Sequence, residues 1–354
     1  ETGFDKPDRP CLLLLHGFPE LAYSWRKVMV PLAEAGYYVV APDIRGYGRT
    51  TGWDPSYDTD LRDFRVLNQV RDTLGLLARL ERRSVAAVFG HDYGSTLAAH
   101  CALLRPDVFR SMVIMTGPFS GTPTIPFGSA KSVESSGRSI DADLAKLDPP
   151  RKHYHWYYAS RPANDDMTKC PEGVHAFMRA YYHHKSADWK QNKPFRLTAW
   201  TAPELAKLPT YYVMERDRTM PETVAQHMPS RAEIDANRWL TEAELAVYAN
   251  EYGRTGFQGG LNGYRCRYVD SIQSELQIFS GRTIDVPSGF ISGVADWGAQ
   301  QTPGALERMQ KHVCTRMLLC EFIPGAGHWV QQEAPEATVE LFLAFLRKAG
   351  ATAA

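Results

Sequence analysis

The sequence predicts an α/β protein with a mostly parallel sheet, helices on both faces of the sheet and an inserted helical domain. Short apolar runs alternate with amphipathic stretches in the first third of the chain and again near its end. Buried parallel strands joined by helices produce this alternation. Between residues 118 and 270 the alternation stops, and the sequence is polar, rich in aromatic residues and mostly helix-like. A chain of 354 residues has room for about two domains or for one large fold with an insertion.

Each element of the predicted core follows from its local pattern. Strands are predicted at short apolar-rich runs, namely residues 12–15, 37–42, 85–89, 112–115, 289–292 and 318–323. Helices are predicted at about 25–35, 64–80 and 96–104, after Pro303, and at 335–348. Within the second of these, Val66, Val70 and Leu74 repeat at the spacing of one helical face.

The chain is therefore divided into a core and a cap. Residues 1–117 and 271–354 form the two parts of the predicted core, and residues 118–270 form the predicted helical cap. A cap over the edge of a sheet encloses a largely dry pocket, which favours chemistry that must control water.

Composition and charge exclude several classes of protein. Hydrophobic residues make up 44% of the chain and charged residues 23%, as in globular rather than disordered proteins. The 40 Lys and Arg residues balance the 40 Asp and Glu residues, so the basic excess of a nucleic-acid binder is absent. No apolar run has the length of a membrane-spanning helix, and the first residues do not resemble a secretory signal. The six cysteines form no Cys-x-x-Cys pair, so we expect reduced thiols, no metal site and a cytoplasmic protein.

The candidate nucleophile is Asp92, the middle residue of the segment 90–94 (GHDYG) directly after a predicted strand. A G-x-nucleophile-x-G segment between a strand and a helix forms a sharp turn that presents its middle side chain above the sheet. Glycines are needed there because Cβ atoms would clash. The middle residue of such a turn is usually Ser, and this sequence contains no G-x-S-x-G. Taken alone, the segment is equally compatible with an Asp that caps the following helix.

Two residues at other strand ends supply the partners that an Asp nucleophile needs. The nucleophile forms an ester with the substrate, and a base must then activate the water that hydrolyses the ester. His328 lies on the Gly-rich loop after the last predicted strand, and Asp296 follows the strand before it. The order nucleophile, acid, His along the chain is the one expected for hydrolases of this architecture.

The backbone N–H groups of Phe18 and Tyr93 are the candidate oxyanion hole. Phe18 follows the first predicted strand, and Tyr93 follows the nucleophile. One such donor typically stabilises a transition state by about 2.7–4 kcal/mol. We interpret His16 and His91 as structural, because neither has an evident acid to orient it.

Together these segments resemble the α/β-hydrolase-fold epoxide hydrolases over almost the whole chain. The segments are 16–20 (HGFPE), 43–48 (DIRGYG), 90–94 (GHDYG), 325–329 (GAGHW) and, late in the cap, 256–265 (GFQGGLNGYR). In this family a cap tyrosine of the L-N-x-Y-R segment points at the nucleophile, which implies Tyr264. A second tyrosine belongs to an early cap helix with the pattern Y-x-x-Y followed by Phe or Tyr. That pattern implies Tyr154, with Tyr157 as the alternative.

The resemblance implies an epoxide hydrolase, with an α/β-hydrolase fold and without a metal or organic cofactor. Opening an epoxide produces an alkoxide, and a phenol of pKa about 10 can protonate it, so the reaction needs the cap tyrosines. We expect a small-molecule epoxide as substrate, bulky and apolar because the cap is aromatic, with no nucleic-acid partner and no membrane span. Four aromatic residues are assigned to the substrate pocket: Trp25, Tyr157, Trp297 and Trp329.

Other functions remain open at the level of sequence. Haloalkane dehalogenases share the Asp nucleophile but carry a halide-binding Trp where this chain has Tyr93. Haloacid-type enzymes such as the fluoroacetate dehalogenases carry arginines just after their Asp, which this chain lacks. A non-catalytic ligand-binding member of the fold is a further alternative. The natural substrate, the regio- and stereochemistry and the oligomeric state stay open. So does an upstream segment with a targeting signal, since the family has further strands before its first motif.

Overall fold

A parallel sheet of six strands runs through the part of the chain that the computed structural model describes, residues 1–3, 8–125 and 136–353. All strands, in chain order, are β1 (Cys11–Leu15), β2 (Tyr38–Val40), β3 (Ala87–His91), β4 (Met112–Met115), β5 (Arg151–His153), β6 (Val213–Glu215), β7 (Ser288–Gly293) and β8 (Met317–Ile323). The large sheet has the order β2-β1-β3-β4-β7-β8 with parallel pairing throughout, and β5 and β6 form a separate antiparallel pair. Strand β7 therefore lies next to β4 although more than 170 residues of sequence position separate them.

Helices cover both faces of the sheet and form most of the insertion. In the core they are α1 (Arg26–Glu34), α2 (Val66–Arg79), α3 (Tyr93–Leu104), α14 (Ala305–Arg308), α15 (Val330–Glu333) and α16 (Pro335–Lys348). Between β4 and β7 they are α4 (Ser136–Leu144), α5 (Tyr154–Ala159), α6 (Ala163–Thr168), α7 (Gly173–Lys185), α8 (Ala202–Leu205), α9 (Met220–Ala225), α10 (Arg231–Ala236), α11 (Glu242–Thr255), α12 (Gln258–Arg265) and α13 (Asp270–Glu275). None of the helices in the described ranges is long and apolar enough to cross a membrane.

Strand β1 shows why the sheet needs helices on both sides. Its five residues are all buried. Leu13 and Leu15 pack into one hydrophobic cluster, whereas Leu12 and Leu14 pack into another on the opposite face. Successive side chains of a strand point to opposite faces, so a strand made only of apolar residues requires two apolar covers. Burying each leucine stabilises the fold by roughly 1.5–3 kcal/mol.

The α/β prediction is confirmed, and two local differences are informative. Helix α3 begins at Tyr93, directly after the predicted nucleophile and three residues before the predicted start. The pair β5 and β6 was not predicted, because the β5 sequence is Arg-Lys-His and lacks an apolar pattern. This short strand depends on its partner, with Lys152 opposite Met214.

Candidate active site

The turn between β3 and α3 holds Asp92 in a strained conformation. Its φ of 51° and ψ of −116° lie where non-glycine residues are rare. The neighbouring glycines make this turn possible. A Cβ on Gly90 would lie 2.2 Å from the carbonyl oxygen of Gly94, and one on Gly94 would lie 2.2 Å from that of Leu15. The turn places the carboxylate above the carboxyl end of the sheet. Strained backbone conformations of this kind cluster at functional sites.

The two carboxylate oxygens of Asp92 have different neighbours. The N–H of Phe18 donates to Oδ1 at 2.9 Å, and Oδ2 lies 3.3 Å from Nε2 of His328. Burial raises the pKa of Asp92, but the approach of His328 and the positive charge of Lys185 outweigh burial and hold that pKa well below its usual range. Asp92 is therefore an anion at neutral pH, as a carboxylate nucleophile must be.

His328 and Asp296 form a pair of the kind that prepares a general base. Nδ1 of His328 lies 3.0 Å from Oδ1 of Asp296. The carboxylate of Asp296 is fixed in turn by the N–H of Gly298 at 2.9 Å and by the hydroxyl of Ser292 at 3.1 Å. Burial raises the pKa of Asp296, but the charge and hydrogen bond of His328 lower it overall, so Asp296 is ionised. A proton held on Nδ1 leaves Nε2 unprotonated and directed toward Asp92, where it can take a proton from a water molecule.

A second buried pair positions the backbone of His328. Nδ1 of His91 lies 2.5 Å from Oε2 of Glu20, and Nε2 of His91 lies 2.8 Å from the carbonyl oxygen of His328. The side-chain amides of Gln331 and Gln332 donate to the other oxygen of Glu20 at 3.0 Å each. Burial lowers the pKa of His91, but Glu20 outweighs burial and raises it. The sequence prediction that His91 lacks an orienting acid is thus wrong, because Glu20 approaches it from the β1 loop.

The loop that carries His328 is also tied to α7. The N–H of His328 donates to the carbonyl oxygen of Lys185 at 3.0 Å. The carboxylate of Glu333 accepts from the N–H groups of Ala187 at 2.8 Å, Gly327 at 2.9 Å and Trp329 at 2.9 Å. Burial outweighs these bonds and raises the pKa of Glu333 to about 7. The end of α7 and the His328 loop therefore form one hydrogen-bonded unit.

A cavity of about 150 Å³ lies between this set of residues and the insertion. Asp92 and His328 line it from the core, and Tyr154 and Tyr264 line it from the insertion. Among the described residues neither tyrosine hydroxyl has a hydrogen-bond partner, so both are available to a ligand. Burial, reinforced by the charge of Asp92, raises the pKa of both tyrosines well above the ordinary value, which keeps the phenols protonated.

Helix α12 reaches the core closely enough to bring Tyr264 to the cavity. A Cβ on Gly259 would lie 2.0 Å from the carbonyl oxygen of Gly46, so only glycine permits this contact between the two backbones. The ring of Tyr264 packs 5.5 Å from Phe18 and 6.2 Å from Tyr154, measured between centroids.

Tyr157, the alternative to Tyr154, does not line the cavity. Its hydroxyl donates to Oδ2 of Asp166 at 3.0 Å, and the ammonium of Lys152 lies 4.9 Å from its ring centroid. In a helix, residues three apart share a face only approximately, and here the rest of the insertion holds the Tyr157 hydroxyl away from Asp92. The geometry therefore favours Tyr154, and the assignment of Tyr157 to the pocket is corrected.

The other three predicted pocket residues are also placed elsewhere. Trp25 is fully buried against Phe342, in the hydrophobic cluster that contains Leu12 and Leu14. The two cap tyrosines belong to the other cluster. Trp329 is fully buried and donates its Nε1–H to the carbonyl oxygen of Tyr182 at 2.8 Å. Trp297 is buried in the core cluster and does not line the cavity. Trp297 and Trp329 directly follow Asp296 and His328 in sequence, but neighbouring side chains in strands and turns point in different directions.

Several cavity residues were not predicted. Those from the insertion are His153, His155, Trp200 and Arg267, and Thr116 and Gly117 contribute from the end of β4. Thr116 has a φ of 74°, a rare conformation for a β-branched residue, and its position after a strand was the available sequence signal. Beyond Arg267 a larger cavity of about 690 Å³ continues, sharing Tyr93, Thr96, Pro118, Arg267 and Thr302 with the smaller one.

Known proteins with this arrangement are similar over nearly the full length of the chain. The family model of the α/β hydrolase fold matches residues 10–335. Epoxide hydrolase B of Mycobacterium tuberculosis is 34% identical over an alignment that covers 96% of this chain and 92% of that protein. An epoxide hydrolase of Caballeronia sordidicola is 30% identical, covering 96% of this chain and 88% of that protein.

Solved structures agree with the sequence relatives. An epoxide hydrolase from an endophytic Streptomyces has a TM-score of 0.74 and 28% identity, covering 96% of this chain and 89% of that chain. Potato (Solanum tuberosum) epoxide hydrolase I has a TM-score of 0.72 and 28% identity, covering 96% of this chain and 93% of that chain.

Proposed function

We propose that this chain, which belongs to the α/β-hydrolase-fold family of epoxide hydrolases, opens its substrate by forming a covalent ester on Asp92. The overall reaction, hydrolysis of an epoxide, is that of its relatives, and the assignment of residues to steps is the proposal. One observation carries it: His328 lies 3.0 Å from Asp296 through Nδ1 and 3.3 Å from Asp92 through Nε2. This is the order of contacts that a nucleophile, a base and an orienting acid require.

In the first half-reaction Asp92 attacks a ring carbon of the epoxide. Oδ2 forms the new carbon–oxygen bond, because Oδ1 is held by the N–H of Phe18 and stays as the carbonyl oxygen. The ring carbon–oxygen bond breaks, and its electron pair moves to the ring oxygen. Tyr154 or Tyr264 gives its proton to that oxygen, since both line the cavity with Asp92.

In the second half-reaction water hydrolyses the ester. Nε2 of His328 takes a proton from the water as its oxygen adds to the acyl carbon of Asp92, and negative charge forms on Oδ1. The N–H groups of Phe18 and of Tyr93, the first residue of α3, stabilise this oxyanion. The ester bond then breaks, the leaving alkoxide takes the proton from His328, and the diol departs. The carboxylic acid proton of Asp92 returns to the tyrosinate.

We propose that residues 118–270 act as a cap that excludes water and holds the substrate. The placement of Tyr154 and Tyr264 opposite Asp92 supports this role. A bulky, largely apolar substituent would extend into the larger cavity of about 690 Å³ beyond Arg267. Cytoplasmic location is part of the proposal, because all six cysteines are free and five of them are buried.

Replacing the cap tyrosines with phenylalanine tests the epoxide assignment. Tyr264→Phe and Tyr154→Phe each remove one proton donor while keeping the ring, so ring opening should slow by about 10²–10³-fold, as on loss of one oxyanion donor. The double variant should nearly stop it, because no acid remains for the alkoxide. The measurement is single-turnover ester formation with styrene oxide, and Tyr157→Phe is the matched control from the same helix.

Four results would contradict this assignment or the residues given to it. Near wild-type ester formation by Tyr264→Phe would remove its main support. Slowing by Tyr157→Phe rather than by Tyr154→Phe would transfer the donor role to Tyr157. A dehalogenase predicts turnover of a haloalkane that is insensitive to both tyrosine changes, because halide leaves as a stable anion without a proton. A non-catalytic binding protein would form no ester with either substrate.

A further inference from the structure

Lys185 is a buried cation that the steps above do not use. It ends α7, is 2% exposed, and forms no ion pair with any described carboxylate. Instead its ammonium lies 5.3 to 5.7 Å from the centroids of four aromatic rings, those of Tyr181, Tyr211, Tyr212 and Trp329. A buried charge is unfavourable unless its surroundings compensate for it. Aromatic faces do so in part, through their negative electrostatic potential.

Two of the rings around Lys185 contact side chains that line the active-site cavity. The ring of Trp329 is 4.7 Å from that of His328, and the ring of Tyr212 is 5.2 Å from that of Tyr154. The ammonium is 5.3 Å from the ring centroids of both Trp329 and Tyr212, so it is one ring away from His328 on one side and from Tyr154 on the other. The N–H of His328 donates to the carbonyl oxygen of Lys185 at 3.0 Å, and this bond joins the end of α7 to the loop that carries His328.

The charge of Lys185 acts on both carboxylates of the reaction. Burial raises the pKa of Asp92 and of Asp296, and Lys185 is among the positive charges that lower it again.

We propose that Lys185 is a positioning residue whose charge stabilises the negative charge that returns to Asp92 during ester hydrolysis. The inference rests on the covalent route proposed above. During ring opening, negative charge leaves Asp92 for the epoxide oxygen, so a cation near Asp92 does not favour that step. During hydrolysis, water adds to the acyl carbon and the carbonyl electron pair moves onto Oδ1. Lys185 therefore favours the second half-reaction and not the first.

Rapid mixing followed by intact-mass measurement separates the two half-reactions. With styrene oxide, Lys185→Met should form the ester within a few-fold of the wild-type rate but hydrolyse it roughly 10–100-fold more slowly. A slowing of this size corresponds to a loss of about 1.4–2.8 kcal/mol of transition-state stabilisation. The ester should therefore accumulate in the steady state. Lys185→Arg keeps the charge and should hydrolyse the ester at close to the wild-type rate.

Lys152→Met is the matched control. Lys152 is also a lysine of the insertion, 7% exposed, with its ammonium 4.9 Å from an aromatic ring, but that ring is Tyr157, outside the cavity. This variant should change neither half-reaction, and circular dichroism of all variants checks the fold. If Lys185→Met does not fold, Lys185→Gln is measured in the same way.

Results that contradict the role of Lys185 differ from results that contradict the covalent route. Ester decay at the wild-type rate in Lys185→Met would overturn the role of Lys185, as would equal slowing of both half-reactions. A folded Lys185→Arg that hydrolyses the ester as slowly as Lys185→Met would show that packing matters rather than charge, and would also overturn it. Absence of any ester, in the wild type and in His328→Gln alike, would instead overturn the proposed covalent route.

Discussion

Asp92 combines a strained backbone with a stabilised negative charge. Its positive φ is maintained by the close contacts that Gly90 and Gly94 allow. Its charge is maintained by Phe18 through a hydrogen bond and by His328 through proximity. Strain of this kind costs roughly 1–3 kcal/mol and persists where surrounding structure fixes it. The result is a carboxylate held in place before the substrate arrives.

Asp296→Asn tests the proposed role of Asp296 as the acid that orients His328. The amide should leave the protein folded but lose the charge that stabilises the His328 imidazolium and fixes its tautomer. In a comparable triad this loss reduces turnover by about 10⁴-fold. Stopped-flow measurement of ester decay gives the rate. Ser292→Ala, which removes only the 3.1 Å hydrogen bond to Asp296, is the control and should stay within about tenfold. Turnover of Asp296→Asn within a few-fold of wild type would mean that another acid orients His328.

At the scale of elements, three strand ends and two helices of the insertion assemble the site. Asp92, Asp296 and His328 follow β3, β7 and β8, whose carboxyl ends meet at one edge because the sheet is parallel. Helices α5 and α12 bring Tyr154 and Tyr264 to the same edge. The side chains that line the cavity thus come both from the parallel sheet and from the insertion.

Two glycine substitutions test whether the turn after β3 needs its close backbone contact. Gly94→Ala should destabilise the protein severely, because the new Cβ would lie 2.2 Å from the carbonyl oxygen of Leu15. Gly75→Ala, inside α2, meets nothing within 4 Å and should stabilise the protein by about 0.5–1 kcal/mol through helix propensity. Urea denaturation measures both. A Gly94→Ala protein as stable as the wild type would show that the turn tolerates a side chain.

The sequence predicted the residues whose positions depend on local pattern. Asp92, Asp296 and His328 were found because apolar runs identify strands, and strand ends share an edge in a parallel sheet. Glu20 and Lys185 were missed because their roles depend on how a loop and α7 pack against the His328 loop, and no local pattern encodes that. Trp25 was wrongly assigned to the substrate pocket because its local sequence does not show which face of the sheet its side chain covers.

At the scale of the whole molecule, buried polar contacts hold the insertion on the core. Arg26 of α1 donates to Glu244 of α11 at 3.0 Å, to the carbonyl oxygen of Trp239 at 3.2 Å and to Gln332 near the His328 loop at 2.7 Å. Glu333 makes a second connection through Ala187. The insertion is therefore attached to the same loop that carries the base.

Buried neutral histidines should make the whole protein sensitive to acid. Burial lowers the pKa of His184 from 6.5 to about 2, of His153 to about 3 and of His100 to about 4. Below pH 6.5 these histidines become protonated in the unfolded chain but stay neutral in the folded chain. The free energy of unfolding should therefore fall as the pH drops, by about 1.4 kcal/mol per pH unit for each histidine.

His184→Phe isolates one of these histidines. Neither ring nitrogen of His184 has a hydrogen-bond partner among the described residues, so an apolar ring fits its surroundings. Denaturation curves between pH 7 and about pH 4.5 should then show a slope reduced by about one proton. An unchanged slope in His184→Phe would show that this residue is protonated in the folded protein.

The most direct test of the covalent mechanism is the mass of His328→Gln after mixing with an epoxide. In the proposed mechanism ring opening uses Asp92 and a tyrosine, and the base acts only in hydrolysis, so the variant should form the ester and stop. Intact-mass measurement with styrene oxide should show the protein plus one substrate, and peptide mapping should place the addition on Asp92. His328→Gln with Asp92→Ala should show no addition. An unmodified His328→Gln protein that still releases diol would contradict the covalent route and indicate direct attack of water on the epoxide.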